Sequence, residues 1–275
     1  MSSQKAKNWI NLGDWGVGMD EYKLPSSSEL AGKELKFYFH DNNQVIKYVF
    51  HDVNSLTWEI LEGQDSGQSG TEKYEAICVS PNIFFVDFVR KSQPNVSVSF
   101  ALGLDTEMAT FLVATIPEIE AAHRGFSYKT GGNLDLSIIR VEILHANINL
   151  TTDDKPVVTH ERTSDLVGKR VKYTYSKEHV YEHIYLNERF FTWHCLVGIE
   201  KGLADTEICD YFKIAPEVYL FTWREKVMPT FGVVLINFKE MRSNGKTFGL
   251  DLSSGKMINF CMGSVAELIN KTYYA

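Results

Sequence analysis

The chain has 275 residues, 44% of them hydrophobic and 23% charged, with a net charge of −7. That length suits one large domain or two of moderate size, and the acidic balance excludes general nucleic-acid binding, which needs a basic surface to displace counterions from phosphates. No apolar run approaches the roughly 20 residues of a membrane-spanning helix, and Met1–Asn8 lack an apolar core and cleavage site, so neither a membrane partner nor a signal peptide is expected.

The cysteines, Cys78, Cys195, Cys209 and Cys261, show no C-x-x-C spacing and read as reduced thiols, which places the protein in the cytoplasm. In that compartment the sequons at Asn95, Asn149 and Asn270 carry no glycan. Aromatic residues make up 13% of the chain and lean it toward β structure.

Residues 1–29 read as an irregular N-terminal arm. The G-x-G at Gly16 and Gly18 has no strand before it and no helical pattern after it, so it is not a phosphate loop; the arm instead lays Trp9, Trp15 and Tyr22 onto a barrel. From Gly32 short alternating runs follow one another: "ELKFYF", "VIKYVF", "LTWEIL", "YEAICV", "IFFVDFV", "VSVSFALG" and "ATFLVAT", broken by Asn, Asp, Gly, Ser and Pro. Residues 115–125 form the best helix candidate, and 136–148 return to strand. A polar linker spans 151–165. The order then repeats from Leu166 with "RVKYTY", "VYEHIYL", "FFTWHCL", "YFKIA", "VYLFTWRE", "TFGVVLINF" and "KTFGLDL". Asn244–Gly245 signals a hairpin turn, and the centre of "MGSVAELINKTYYA" a short helix.

"LAGKELKFYF" from Leu30 and "LVGKRVKYTY" from Leu166 are near copies, and later landmarks keep an offset close to about 136 positions: Trp58 with Trp193, and Pro81–Phe88 with Pro216–Trp223. The expected fold is therefore all-β: two tandem lipocalin-like antiparallel barrels, residues 30–150 and 166–275, with a few short helices. Barrels remove exposed edges; a β-sandwich is the structural alternative.

Alternate strand residues share a face. If those faces turn inward, Tyr173, Tyr175, Tyr181, His183, Tyr185, Trp193, Cys195, Trp223 and Glu225 meet inside the second barrel. Phenols there donate hydrogen bonds to a carboxylate or enolate oxygen, and a carboxyl group in a dry pocket gains a raised pKa suited to proton transfer. The alternative for Glu225 is a strand-end residue paired with Lys226 or Arg224. Cys195 beside His183 reads as a buried thiol rather than a nucleophile. His179, His183 and His194 do not make a metal site, since strand residues four apart lie about 13 Å apart. In the first barrel Phe37, Phe39 and Phe88–Val89–Arg90 replace the polar set, so its interior is expected to be apolar: packed shut, open to a greasy ligand, or an interface with the second barrel.

"LVGKRVKYTYSKEHVYEHIYLN" resembles the opening of bacterial phenolic acid decarboxylases, single lipocalin-like barrels. The resemblance implies that Tyr173 and Tyr175 hold a carboxylate, with Tyr181 and Glu225 nearby; the family's Arg has no counterpart in "GIEKGLADT", where Lys201 is the nearest cation. "TSDLVGKR", "YEHIYLNERFFTWHC", "GIEKGLADTEICDYFKIA" and "YLFTWREKVMPTFGVV" resemble the C-terminal domain of the MoaF family, named for molybdenum cofactor biosynthesis. The segment from "LGDWGVGMDEYKLP" through "LAGK" resembles its N-terminal domain. That family implies two calycin-like barrels; nothing in this chain is built to bind a pterin or molybdate.

The expected function is a lyase, isomerase or cyclase without metal or organic cofactor, acting on a small aromatic or enolisable molecule. Tyr173 and Tyr175 would hold an oxyanion or carboxylate, Glu225 would carry the proton, and Lys201 would be a charge partner; Tyr181, His183, Trp193, Cys195 and Trp223 would line the cavity. The alternatives are a non-catalytic carrier of a hydrophobic metabolite and an assembly protein. The expected partner is a small ligand, with a homodimer left open.

Overall fold

The computed structural model of the chain describes residues 11–117, 137–148 and 158–274. The alternating runs fold into two antiparallel eight-stranded barrels in tandem. The first contains β1 (Glu34–Phe39), β2 (Val45–Phe50), β3 (Ser55–Glu62), β4 (Ser69–Ser80), β5 (Ile83–Val89), β6 (Val96–Gly103), β7 (Met108–Thr115) and β8 (Arg140–Ile148). Each strand pairs with the next, and β1 pairs with β8 to close the ring.

A two-residue strand, β9 (Glu161–Arg162), precedes the second barrel. That barrel contains β10 (Lys169–Thr174), β11 (Val180–Tyr185), β12 (Phe190–Val197), β13 (Ala204–Ala215), β14 (Val218–Arg224), β15 (Thr230–Asn237), β16 (Arg242–Asp251) and β17 (Lys256–Lys271). Its neighbours follow the same rule, with β10 pairing β17. β9 lies along β13, so the part of the expected linker that is described, from residue 158, joins the sheet.

The duplication is visible in backbone detail. A register shift between Val45 and Ile46 recurs between Val180 and Tyr181, and one between Cys78 and Ser80 recurs between Lys213 and Ala215. Gly32 (φ 78°) and Gly168 (φ 82°) make the same turn into the first strand, a conformation that favours glycine. Their N–H groups donate to Phe50 O at 2.7 Å and Tyr185 O at 2.8 Å.

The barrels meet along their outer faces. Phe85, Leu112 and Ala114 pack against Phe212, Leu220, Val233 and Phe248 in one apolar layer. Within this layer Lys246 pairs with Asp87 at 2.6 Å, both fully buried. Ser99 and Asn259 donate to the same carboxylate at 3.0 and 2.8 Å. Removing two charges from water is costly unless they are paired and hydrogen-bonded, and both conditions are met.

Two local expectations are corrected. Asn244–Gly245 is not a turn but lies inside β16, opposite Leu235 and Val234; the chain turns between Asn237 and Arg242, where Met241 takes φ 50°. Asn-Gly serves another purpose there. Leu24 N–H of the arm donates to Asn244 Oδ1 at 2.8 Å, and a side chain at Gly245 would strike Val233 O at 2.0 Å. The expected C-terminal helix is instead strand β17, which fills the gap between β10 and β16 and leaves no open edge there. Closure outweighs the weak helix propensity of so short a run. The helix candidate at 115–125 lies outside the described residues beyond Pro117. Among the described residues the one α-helix is α1 (Leu12–Trp15), and no helix is long and apolar enough to cross a membrane.

Candidate functional site

Two residue pairs in equivalent register differ between the barrels. In the first barrel Phe88 faces Val98, and Phe100 faces Phe111. The Phe100 and Phe111 rings stack at 4.2 Å, and Phe37, Phe39 and Tyr48 close around them. In the second barrel Trp223 faces Gly232, and Val234 faces Gly245. The Phe100 and Phe111 rings thus have no counterpart in the second shell, which instead carries Phe191, Tyr211 and Phe221 where the first has Leu56, Ala76 and Val86. Gly232 also lets the Trp223 indole lie flat, since a Cβ there would meet the ring at 2.1 Å.

The second shell contains a cavity open to solvent at its mouth, with room of about 30 Å³ for the centres of water-sized spheres. Tyr175, Tyr181, His183, Phe191, Trp193, Trp223, Glu225 and Met262 line it from the barrel. The N-terminal arm crosses the mouth. α1 begins with Asn11 accepting from Gly13 N–H, and its Trp15 and the following Met19 complete the wall. Trp15 donates through Nε1 to Tyr181 Oη at 2.6 Å and meets the Phe260 ring edge-on at 5.6 Å. Gly263 donates to Met19 O at 3.1 Å and holds the arm down.

The cavity is acidic. Glu225 is 8% exposed and accepts from Trp223 Nε1 at 3.3 Å. Burial, reinforced by the charge of Glu200, pushes its pKa up to about 8. Glu200 is 7% exposed and accepts from Tyr181 Oη at 2.8 Å. Burial raises its pKa, although hydrogen bonds from Tyr181 and Trp15 oppose the rise. Behind them Glu207 is buried, and burial together with Glu225 lifts it to about 9. His183 is 5% exposed and held neutral, its pKa lowered to about 3 by burial. Its Nδ1 and Trp193 Nε1 have no hydrogen-bond partner. Buried polar atoms are rarely left so, and both belong to residues lining the cavity.

Strand parity places most of the expected residues together. Tyr175, Tyr181, His183, Trp193, Trp223 and Glu225 line one cavity. Glu225 is not a surface partner of Lys226, whose ammonium pairs with Asp205 at 2.8 Å. Tyr173 is buried outside the lining, with its hydroxyl 2.8 Å from that of Tyr185. Cys195 is buried beside Tyr181, and burial raises its thiol pKa. Lys201 is exposed on the turn after β12 and does not reach the cavity; its neighbour Glu200 does. Trp15 was expected to lie on a barrel but not in the site, and Met19, Glu200, Phe191 and Met262 went unassigned by sequence. Glu200 had the one usable signal, an acid adjoining the expected cation in "GIEKG".

The first barrel also holds more charge than its Phe-rich strands suggest. Arg90 lies over the Trp58 ring at 5.0 Å, and Trp58 Nε1 donates to buried Glu72 at 3.3 Å. An inward Arg at one end of the shell thus qualifies the wholly apolar interior that was expected; the centre is packed with aromatic rings.

A solved structure from Burkholderia vietnamiensis, described as a candidate beta-lactamase, matches 40% of this chain and 100% of its own at 15% identity and a TM-score of 0.33, a likeness too slight to carry an inference. Closer is the Klebsiella aerogenes protein described as Protein MoaF, 35% identical over 250 residues, which are 90% of each chain. The MoaF N-terminal domain matches residues 7–118 and the MoaF C-terminal domain residues 160–272. With both domains matched in order across the two barrels, the chain belongs to the MoaF family.

Proposed function

We propose that the second barrel is the active site of a small-molecule enzyme of lyase, isomerase or cyclase type, working by proton transfer without an organic cofactor on an aromatic or enolisable substrate. The observation that supports it is Glu225: a carboxyl group in an aromatic-walled cavity with its pKa raised to about 8, so that it holds a proton at neutral pH and releases it within reach of physiological conditions. Glu225 alternates between its two forms: as the carboxylate it takes a proton from carbon, and as the acid it returns one to a substrate atom. Tyr175 holds the oxygen on which negative charge develops, while the Tyr181 hydroxyl, donating to Glu200 and accepting from Trp15, orients that second carboxyl. The arm residues Trp15 and Met19 exclude water at the mouth. The four unpaired cysteines support a cytoplasmic setting.

The test is hydrogen exchange. Small aromatic ketones and phenols are incubated with the protein in heavy water, and deuterium entry at carbon is followed by NMR. Exchange that depends on protein and is lost in Glu225→Gln, with ligand affinity retained, is the expected result. Exchange equal in both proteins removes Glu225 from the reaction. A non-catalytic carrier is the second reading, supported by the mostly aromatic wall; it requires saturable binding with no exchange at any carbon.

A further inference from the structure

Among its lining residues the cavity contains acids and aromatic faces but no Lys or Arg, and the His183 imidazole is held neutral by burial. Glu200 and Glu225 line it, Glu207 adjoins Glu225, and the wall carries Trp15, Trp193 and Trp223. Lys201 is exposed to solvent, and Lys226 is bound to Asp205. Such a site opposes an anionic ligand and favours a cation, through carboxylate pairing and through the negative faces of indole rings.

The duplicate barrel supplies an independent observation. Arg90 and Glu225 are equivalent: Arg90 N–H donates to Val96 O at 3.0 Å, as Glu225 N–H does to Thr230 O at 2.9 Å. The next residues agree as well, Lys91 N–H donating to Glu72 at 2.9 Å and Lys226 N–H to Glu207 at 3.2 Å. Trp58 and Trp193 occupy the same place on the third strand of each shell, the former opposite Gly70 and the latter opposite Asp205. In the first barrel, therefore, the chain's own guanidinium covers the tryptophan ring beside the conserved-in-place Glu72. In the second, the tryptophan and glutamate are kept, but the cation has become a carboxylate. His183 lines the cavity as well, and its buried Nδ1 has no hydrogen-bond partner.

We infer that the second barrel accepts a small aromatic ammonium compound, whose cation sits against Trp193 with Glu200 and Glu225 as its counter-charges, in the role that Arg90 fills within the first barrel. The inference rests on the proposed site at Glu225 and names its substrate class. Binding of an ammonium ion favours the ionised carboxyls, so it releases a proton at neutral pH. His179 adjoins Glu200, and Lys226 and Asp205 adjoin Glu207, so these groups share in the local balance.

The experiment uses the full chain and three probes of one shape: benzylammonium, benzoate and benzyl alcohol. Calorimetry near neutral pH is run in two buffers of different ionisation enthalpy. Benzylammonium is expected to bind about tenfold or more tightly than the other two, with proton release, and to weaken about tenfold in Glu225→Gln. Glu225→Arg should remove its binding while circular dichroism shows the fold intact. Benzoate or benzyl alcohol binding as tightly as benzylammonium overturns the inference, as does the absence of benzylammonium binding at millimolar concentration. Glu225-dependent deuterium exchange surviving either result would leave the proposed acid–base role standing.

Discussion

Glu225 of the second barrel stands where Arg90 stands in the first, each one residue before a lysine whose N–H binds the buried glutamate of the fourth strand. One exchange of charge separates a shell that carries its own cation from one that holds a protonated acid.

Stability should record that exchange. Glu225 has a folded pKa of about 8, well above an ordinary carboxyl, so its proton favours the folded state at low pH. The benefit is complete below the ordinary carboxyl range and is lost as pH rises through about 8. Urea denaturation should therefore show stability falling between about pH 5 and pH 9. Glu225→Gln should flatten that fall and be the more stable protein at the alkaline end. A residual decline belongs to Glu207, whose pKa is about 9. Identical pH profiles for the two proteins would show that Glu225 ionises as an ordinary surface acid.

Val234→Phe adds to the second barrel the ring that Phe100 places in the first. Val234 is buried in the core opposite Phe221 and does not line the cavity, so the larger ring should overpack its neighbours at a cost of about 1–3 kcal/mol. Thermal unfolding checks this, and an unchanged midpoint would show that the core has room for the ring.

One indole anchors the arm over the cavity mouth, beside the backbone hold of Gly263 on Met19. Trp15→Phe keeps an aromatic ring near Tyr181 and Phe260 but removes the hydrogen bond to Tyr181, and should cost about 1 kcal/mol. Trp15→Ala should cost about 3 kcal/mol and increase acrylamide quenching of the remaining tryptophans at the mouth. No change in quenching would show that the arm does not seal the cavity.

Between the barrels, Lys246→Met leaves Asp87 charged and buried without its cation, and should cost about 3–5 kcal/mol. The double variant Lys246→Met/Asp87→Leu should recover most of that loss. Guanidinium denaturation followed by fluorescence checks both, and a single variant as stable as the parent would mean that water reaches Asp87.

The sequence by itself determined the strands, the duplication and the facing of side chains. Strand parity is a local property with a period of two residues, so it turned Tyr175, Tyr181, His183 and Glu225 inward without knowledge of their neighbours. Other features depend on partners distant in the chain. That Val234 and Gly245 face each other where Phe100 and Phe111 do in the first shell is a pairing set by register between strands. Local chemistry misread Gly245 as a turn for the same reason: an Asn-Gly pair looks alike whether it bends the chain or lets another segment approach. Lys201 and Glu200 are adjacent in sequence, and only the path of the turn after β12 sends one to solvent and the other into the cavity. Trp15 arrives at Tyr181 from the opposite end of the chain. Barrel mouths are built where turns and an arm converge, and no periodic pattern along one segment encodes that meeting.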